Sequence, residues 1–432
     1  MNKNKIAIVG LGYVGLPLLI EFGKKYNVVG YDIDKKKIEN LKRGIDETLI
    51  LSDKESNNLK KLKLSCNAKE IKQCNIYIVT VPTPLNKKNK PDLSLIKNAS
   101  KVVGRSLNRK DIVIYESTVY PGVTEEVCVP ILEKNSKLKY ENSHGVTNHE
   151  NLFYCGYSPE RINHGDKKHN IKNVKKVVSG SSKKITNKIN KLYKSIIPAG
   201  THVASSIKVA EAAKIIENTQ RDVNIALINE LSIIFSKLNI NTEQVLEAAS
   251  TKWNFVRFNP GLVGGHCIGV DPYYLTYKSK KIGYTPKMIL AGRKLNDNMT
   301  VHVSKKIIHL MKKKRIKLYN SKILILGLTF KENITDTRNT KVMDLILKLK
   351  KIRSKIDVYD PWVKKEKFAN EKNFKLINKL EYKKKYDVLI FAVGHKQFNQ
   401  INISRIKSLL KTRNVIYDLK YILPASIVDG RL

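Results

Sequence analysis

The sequence predicts an α/β protein in which two parallel-sheet domains are joined by a central segment of long helices. Three observations carry the prediction. Short apolar runs recur in the first part of the chain, at Ile6–Val9, Ile76–Val81 and Ile112–Tyr115. They recur in the last part, at Ile323–Leu326, Ile356–Asp360, Val388–Ala392 and Val415–Asp418. Runs of this kind suit strands buried on both faces of a parallel sheet. Between the two sets, Ile207 to about Lys237 carries apolar residues at helical spacing over a length that strands do not reach. A chain of 432 residues also exceeds one core. The expected domains are 1–198, 199–315 and 316–432.

Composition narrows the class. Hydrophobic residues make up 42% and charged residues 28%, as in a globular protein, but the formal net charge is +43. A nucleic-acid partner is one reading of that charge. The lysines are spread along the chain without interleaved aromatics, so the expectation is no nucleic acid and a field that steers small anions. The five cysteines, Cys66, Cys74, Cys128, Cys155 and Cys267, show no CxxC and no zinc spacing, so no metal is expected. Their odd number suits reduced thiols in a cytoplasmic protein. Met1–Lys5 runs directly into an apolar strand, which argues against a signal peptide. No apolar run reaches the roughly 20 residues that span a bilayer.

Taken in order, the first strand leads into Gly10-Leu11-Gly12-Tyr13-Val14-Gly15 and an apolar helix start, and a second strand, Val28–Asp32, ends in an acid. Gly10 makes the tight turn, Gly12 lets backbone meet a pyrophosphate, and Gly15 allows close helix–strand packing. Asp32 would hold a ribose 2′-hydroxyl and repel a 2′-phosphate, which favours NAD over NADP. This first domain reads as a Rossmann domain, and the last part of the chain as a second domain of that type. Thr83 and Thr118 follow the strands at Ile76 and Ile112, and are read as bordering the cofactor or as helix caps.

The run Ser158-Pro159-Glu160-Arg161-Ile162-Asn163-His164-Gly165-Asp166 is polar, turn-rich and full of catalytic residue types. Within the long helix, Lys214, Asn218 and Arg221 stand at i, i+4 and i+7, on one face. Helical patterns follow at Thr242–Ala249 and Lys287–Lys314. Between them lies Phe258-Asn259-Pro260-Gly261-Leu262-Val263-Gly264-Gly265-His266-Cys267-Ile268-Gly269-Val270-Asp271-Pro272. Its glycines bring backbone close to something bulky. Cys267 is either a nucleophile at the floor of a substrate pocket or a buried thiol in a glycine-rich turn.

Together these motifs resemble the UDP-glucose/GDP-mannose dehydrogenase family of nucleotide-sugar 6-dehydrogenases, over nearly the full length. The resemblance rests on GLGYVGLPL from Gly10, VPTP from Val81, ESTVYPG from Glu116, SPERIN from Ser158, KIIENTQRDVNIALINE from Lys214, FNPGLVGGHCIGVDPYYLT from Phe258 and GLTFKENITDTRNT from Gly327. The wording is most similar to the Vi-antigen-type branch acting on UDP-N-acetylglucosamine or -galactosamine. His164 stands where related sequences usually have proline, and the loop at Arg257 and Asn259 varies within the branch.

The resemblance implies a four-electron, NAD-dependent oxidation of C6 of UDP-GlcNAc or UDP-GalNAc to the uronic acid, feeding surface polysaccharide. UDP-ManNAc, UDP-glucose and GDP-mannose are the alternative substrates. It implies Cys267 as the nucleophile, Lys214 and Asn218 as oxyanion donors, Asp271 as a proton acceptor, and Glu160 and Thr118 at the hydrolytic water. Cofactor contacts fall to Gly10, Gly12, Tyr13, Val14, Gly15, Asp32, Thr83, Thr118 and Arg338. Substrate contacts fall to Glu160, Arg161, Lys214, Asn218, Arg221, Phe258, Gly261, Gly264 and Lys331. A homodimer built on the Ile207–Lys237 helix is expected, without a membrane partner.

Overall fold

The structure is a computed structural model that describes residues 4–46, 51, 53–141, 151–160 and 170–432. It separates into two compact units, Met1–Glu217 with Tyr273–Tyr284, and Asn218–Pro272 with Thr285–Leu432.

The first unit is built on strands β1 (Lys5–Val9), β2 (Asn27–Tyr31), β3 (Lys63–Ser65), β4 (Ile76–Val79), β5 (Ile112–Tyr115), β6 (Lys139–Tyr140), β7 (Leu152–Tyr157), β8 (Lys176–Gly180) and β9 (Thr201–Val203). Their order is β3-β2-β1-β4-β5-β7-β8-β9, with β6 paired to β7. All pairings are parallel except β7 with β8. The apolar runs of β1, β4 and β5 are buried at every apolar position because helices cover both faces. Those helices are α1 (Gly15–Gly23), α2 (Lys35–Lys42), α3 (Asp53–Leu59), α4 (Ser94–Gly104), α5 (Val129–Ser136) and α6 (Lys183–Lys194).

The long helix α7 spans Ile207–Lys237, and α8 (Thr242–Ala249), α9 (Asp271–Lys281) and α10 (Lys287–Lys313) follow. Residues 199–315 are divided between the two units. One reason is α10, whose Met299, Val303, Ile307 and Met311 are buried in the core of the second unit. That core belongs to a six-stranded, wholly parallel sheet of β10 (Lys322–Leu326), β11 (Lys355–Tyr359), β12 (Lys375–Ile377), β13 (Tyr386–Phe391), β14 (Leu410–Asp418) and β15 (Gly430–Arg431). Helix α11 (Lys341–Lys350) contributes Val342, Leu345, Ile346 and Leu349 to the same core.

The order β12-β11-β10-β13-β14-β15 repeats, strand for strand, the first six positions of the N-terminal sheet. Both reverse direction beside their first strand, and ligands of such sheets bind outside the carboxyl ends at that switch point. The α/β class with two parallel sheets is therefore as the sequence predicts. Among the described residues, no helix is long and apolar enough to cross a membrane.

Candidate active site

The glycine turn of the first unit gives each glycine a separate reason. Gly10 has φ 98°, which L side chains rarely adopt. A Cβ on Gly15 would lie 1.9 Å from the Gly10 carbonyl and 2.7 Å from Thr80 Oγ1, so close packing at the start of α1 forbids one. A Cβ on Gly12 would meet no protein atom within 4 Å. The protein's own packing does not require glycine there, whereas a ligand approaching the backbone would. Tyr13 and Val14 are half-buried beside it. Asp32 accepts from the Leu11 amide at 2.9 Å and from Lys37 Nζ at 2.9 Å. These features fit a dinucleotide: a turn open over Gly12, a helix start, and an acid at the end of β2. Lys37 was not foreseen, because it lies in the run Lys35-Lys36-Lys37 with nothing to single it out.

The loops after β4 and β5 are stitched together. Thr83 Oγ1 donates to the Thr118 carbonyl at 2.6 Å, and Ser117 Oγ to the Val81 carbonyl at 2.6 Å. The Tyr274 hydroxyl of α9 donates to the Thr83 carbonyl. Among the described residues neither Thr83 nor Thr118 caps a helix, so the capping alternative falls. Below them, buried Glu116 accepts from Lys176 Nζ at 2.5 Å and from the Tyr193 hydroxyl at 2.5 Å. Glu160 borders a small cavity with Glu116, Lys176 and Val14. Arg161 and His164 lie outside the described residues.

On α7, Lys214 is buried, and one turn earlier Glu211 is fully buried. Glu211 accepts from the Gly122 amide at 2.5 Å and the Thr124 amide at 2.9 Å, which anchors the ESTVYPG turn carrying Thr118. Burial pushes the Glu211 carboxyl up to about 7 despite those two amides. Asn218 is also buried, whereas Arg221 is exposed. Helical spacing puts the three at similar angles, but it does not set their depth.

In the second unit, the cysteine loop is held at several points. Asn218 Nδ2 donates to Asp271 Oδ2 at 2.6 Å, and both side chains are buried. The Asp271 and Val270 amides donate to the Cys267 carbonyl at 2.8 and 3.0 Å, a turn that leads into α9. Cys267 itself is exposed, whereas Cys74, Cys128 and Cys155 are buried. The buried-thiol alternative is thereby overturned: the loop presents its cysteine to solvent.

Farther back, Asn229 acts as a surrogate strand for Gly261. It accepts from the Gly261 amide at 2.8 Å and donates to its carbonyl at 3.0 Å. Asn229 also donates to Asn296 at 2.8 Å, Asn296 donates to Asp222 at 2.8 Å, and Arg293 donates to Asp222 at 2.6 Å. All four are almost completely buried, so each depends on the others for satisfaction. The signal available in the sequence was the polar spacing of Asp222 and Asn229 on α7 and of Arg293 and Asn296 on α10.

The loop's glycines divide as well. A Cβ on Gly264 would lie 2.8 Å from the Asn339 carbonyl, and one on Gly265 2.7 Å from the Phe330 ring. Both are accounted for by packing within the protein. At Gly261 a Cβ would meet nothing within 4 Å. Phe258 and Lys331 are half-buried. Arg338 is half-exposed and forms a two-pronged pair with Asp336, through Nη2 at 2.7 Å and Nε at 3.1 Å. A cavity of about 410 Å³ lies past the carboxyl ends of β10, β13 and β14, lined by Arg257, Asn259, Glu332, Asn399, Lys420 and Tyr421 among others.

Three successive parts of the chain match the domain models of one family: its NAD binding domain over residues 4–197, its central domain over 208–298 and its UDP binding domain over 324–425. The chain belongs to the UDP-glucose/GDP-mannose dehydrogenase family, and is an NAD-dependent dehydrogenase. Over its whole length it is 55% identical to the UDP-N-acetyl-D-glucosamine 6-dehydrogenase of Salmonella typhi, covering 99% of that protein. It is 51% identical to the UDP-N-acetyl-D-glucosamine 6-dehydrogenase of Pseudomonas aeruginosa, covering 100% of both chains. Among solved structures, a UDP-D-ManNAc dehydrogenase from Pyrococcus horikoshii matches with a TM-score of 0.87 at 29% identity, covering 99% of this chain and 98% of that one.

Proposed function

We propose that the chain oxidises C6 of a UDP-N-acetylhexosamine, UDP-GlcNAc or UDP-GalNAc, to the UDP-uronic acid, reducing two NAD⁺ per sugar. The carrying observation is the exposed thiol of Cys267 in a loop whose following acid, Asp271, is fixed by Asn218. Two relatives matching end to end at 55% and 51% identity bear the name UDP-N-acetyl-D-glucosamine 6-dehydrogenase, which supports the choice of sugar.

Bound NAD⁺ supplies a hydride acceptor at each of the two oxidation steps. The chain's own residues do the rest. The C6 alcohol loses a hydride and its hydroxyl proton to become an aldehyde, with Asp271, Lys214 and a water taking the proton. The Cys267 sulfur then bonds to the aldehyde carbon and gives a thiohemiacetal, whose oxygen ends protonated. A second hydride and that proton leave to form a thioester. Water, positioned by Glu160 and Thr118, cleaves the C–S bond, releasing the carboxylate and regenerating the thiol. This divides a difficult four-electron change into feasible steps. Lys214 and Asn218 would face the oxyanion, where losing one donor costs about 100- to 1,000-fold in rate.

The nucleotide is assigned to the C-terminal sheet, supported by the family's UDP binding domain over 324–425 and by the polar cavity at its carboxyl edge. Arg161, Arg221, Phe258, Gly261, Gly264 and Lys331 remain the assigned substrate contacts, and Gly10, Gly12, Tyr13, Val14, Gly15, Asp32, Thr83, Thr118 and Arg338 the cofactor contacts. The assigned domains are 1–198 for NAD, 199–315 for the central segment and 316–432 for the UDP-sugar.

A homodimer through α7 is part of the proposal. Val209, Ile216, Leu227 and Ile234 are 44–54% exposed and recur at intervals that return to one side of a helix. A monomer in sedimentation at micromolar concentration would contradict it. For the chemistry, Cys267→Ser is expected to lower net turnover by about 1,000-fold or more while NAD⁺ and UDP-sugar binding persist. Turnover at the wild-type rate would end the covalent proposal.

A further inference from the structure

We propose that His266 is a positioning residue for Cys267: its imidazole, gripped by the 330–338 segment, sets where the neighbouring thiol stands. The proposal rests on the reading of Cys267 as the nucleophile. His266 Nε2 lies 2.8 Å from Asp336 Oδ2 and 2.9 Å from Arg338 Nη2. Its ring meets the Phe330 ring edge-on, with centroids 5.3 Å apart at 63°. The preceding residues are held by the same segment, since the Gly265 amide donates to the Asn339 carbonyl at 3.1 Å. Four contacts therefore fix the chain immediately before Cys267, which is itself exposed.

The grip is itself rigid. The Phe330 amide donates to the Asp336 carbonyl at 3.1 Å, closing the segment on itself. Arg338 holds Asp336 through Nε, Nη2 and its backbone amide. Burial opposes charge on Asp336, but hydrogen bonds from His266 and Arg338 outweigh it and hold its carboxyl well below the usual range.

The ring nitrogen has two alternative partners. As N–H it donates to Asp336, and as a bare lone pair it accepts from Arg338. Either tautomer leaves His266 tied to the same segment, so the anchor survives a change in the ring's proton. The chemistry needs such an anchor because the thiol must meet a carbonyl carbon in a defined line, and a misplacement of about 1 Å costs about 100-fold in rate.

Two variants separate hydrogen bonding from ring volume. His266→Phe keeps an aromatic ring against Phe330 and removes Nε2, whereas His266→Gln can still bond Asp336 or Arg338. The readouts are kcat and KM for UDP-GlcNAc, and the rate at which iodoacetamide alkylates Cys267, identified by peptide mass. His266→Phe is expected to lower kcat about tenfold or more with KM within about threefold, and to change the alkylation rate about threefold or more. His266→Gln should restore most of both.

Asp336→Asn, which leaves the ring in place, provides a second route if His266→Phe does not fold, and should move kcat and alkylation in the same direction. Wild-type values in His266→Phe, or equal losses in the Phe and Gln variants, would overturn the positioning role. So would wild-type values in Asp336→Asn. Cys267→Ser measured in parallel separates the layers. If it turns over normally, the covalent reading fails. If it is inactive while His266→Phe is normal, only the positioning role fails.

Discussion

Gly10 and Gly327 stand at the same point of two sheets of the same strand order, with φ 98° and 95°. Each donates its amide at 2.8 Å to the last residue of the neighbouring strand, Tyr31 or Tyr359. Each is followed by an amide that donates to the next acid, Leu11 to Asp32 at 2.9 Å and Leu328 to Asp360 at 2.6 Å. Beyond this shared turn the two ends diverge. The first continues through Gly12, with open space above it, directly into α1 at Gly15. The second continues through fully buried Thr329, and α11 begins only at Lys341. Asp360 is sealed by His395 Nε2 at 3.0 Å, with Trp362 stacked on that imidazole.

An acid at the end of the second strand first serves the turn, and serves a ligand only where the turn is left open. One turn is open to a dinucleotide, and its counterpart is closed by the protein's own side chains. In the proposed reaction both hydride transfers are assigned to the N-terminal NAD binding domain.

The largest expected effect lies at the closed turn. Gly327→Ala combines a positive φ with a Cβ 2.5 Å from that of Val393, and should cost about 2–4 kcal/mol of stability, read by denaturant unfolding. A neutral outcome would mean the two turns are not built alike. At the open turn the effect should move from stability to binding. Gly12→Ala should leave unfolding within about 0.5 kcal/mol but weaken NAD⁺ about 10- to 100-fold, as for one lost charge-assisted hydrogen bond. Unchanged affinity by calorimetry would remove the argument for the open turn.

A smaller effect concerns acid. Burial alone would raise the Asp360 carboxyl, but His395 and the Leu328 and Trp362 amides outweigh it and hold it lowered. A lowered folded-state value stabilises above the unfolded value of about 3.9, and this contribution is lost as pH falls through the folded value. Asp360→Asn should therefore flatten the loss of stability below about pH 4. An acid limb as steep as that of the parent chain would contradict the sealed-turn description.

What the sequence made legible was what is local in it. The turn at Gly10, the acid at Asp32 and the bounds of α7 are contiguous patterns with fixed spacing. The exposure of Cys267 was one of two open readings, because nothing in a glycine-rich run tells which way a thiol faces. The hidden parts are pairings over long separations. Asn229 with Gly261, Asn296 with Asp222, and Glu211 with the Gly122 and Thr124 amides join segments that no periodicity connects. Strand β8 escaped notice because it opens with a lysine, and Lys176 is buried only because Glu116 waits for it across the sheet. Helix α9 is not among the elements the sequence predicts, although Pro272 in its first turn suits a helix start.

The most direct measurement counts NADH formed per UDP-GlcNAc consumed, with the product identified by mass and NAD⁺ bound per chain determined on the same preparation. One site used twice predicts two NADH and a UDP-uronic acid for every sugar, with one NAD⁺ bound per chain. One NADH per sugar, or an aldehyde or ketone as the final product, would contradict the four-electron oxidation through Cys267.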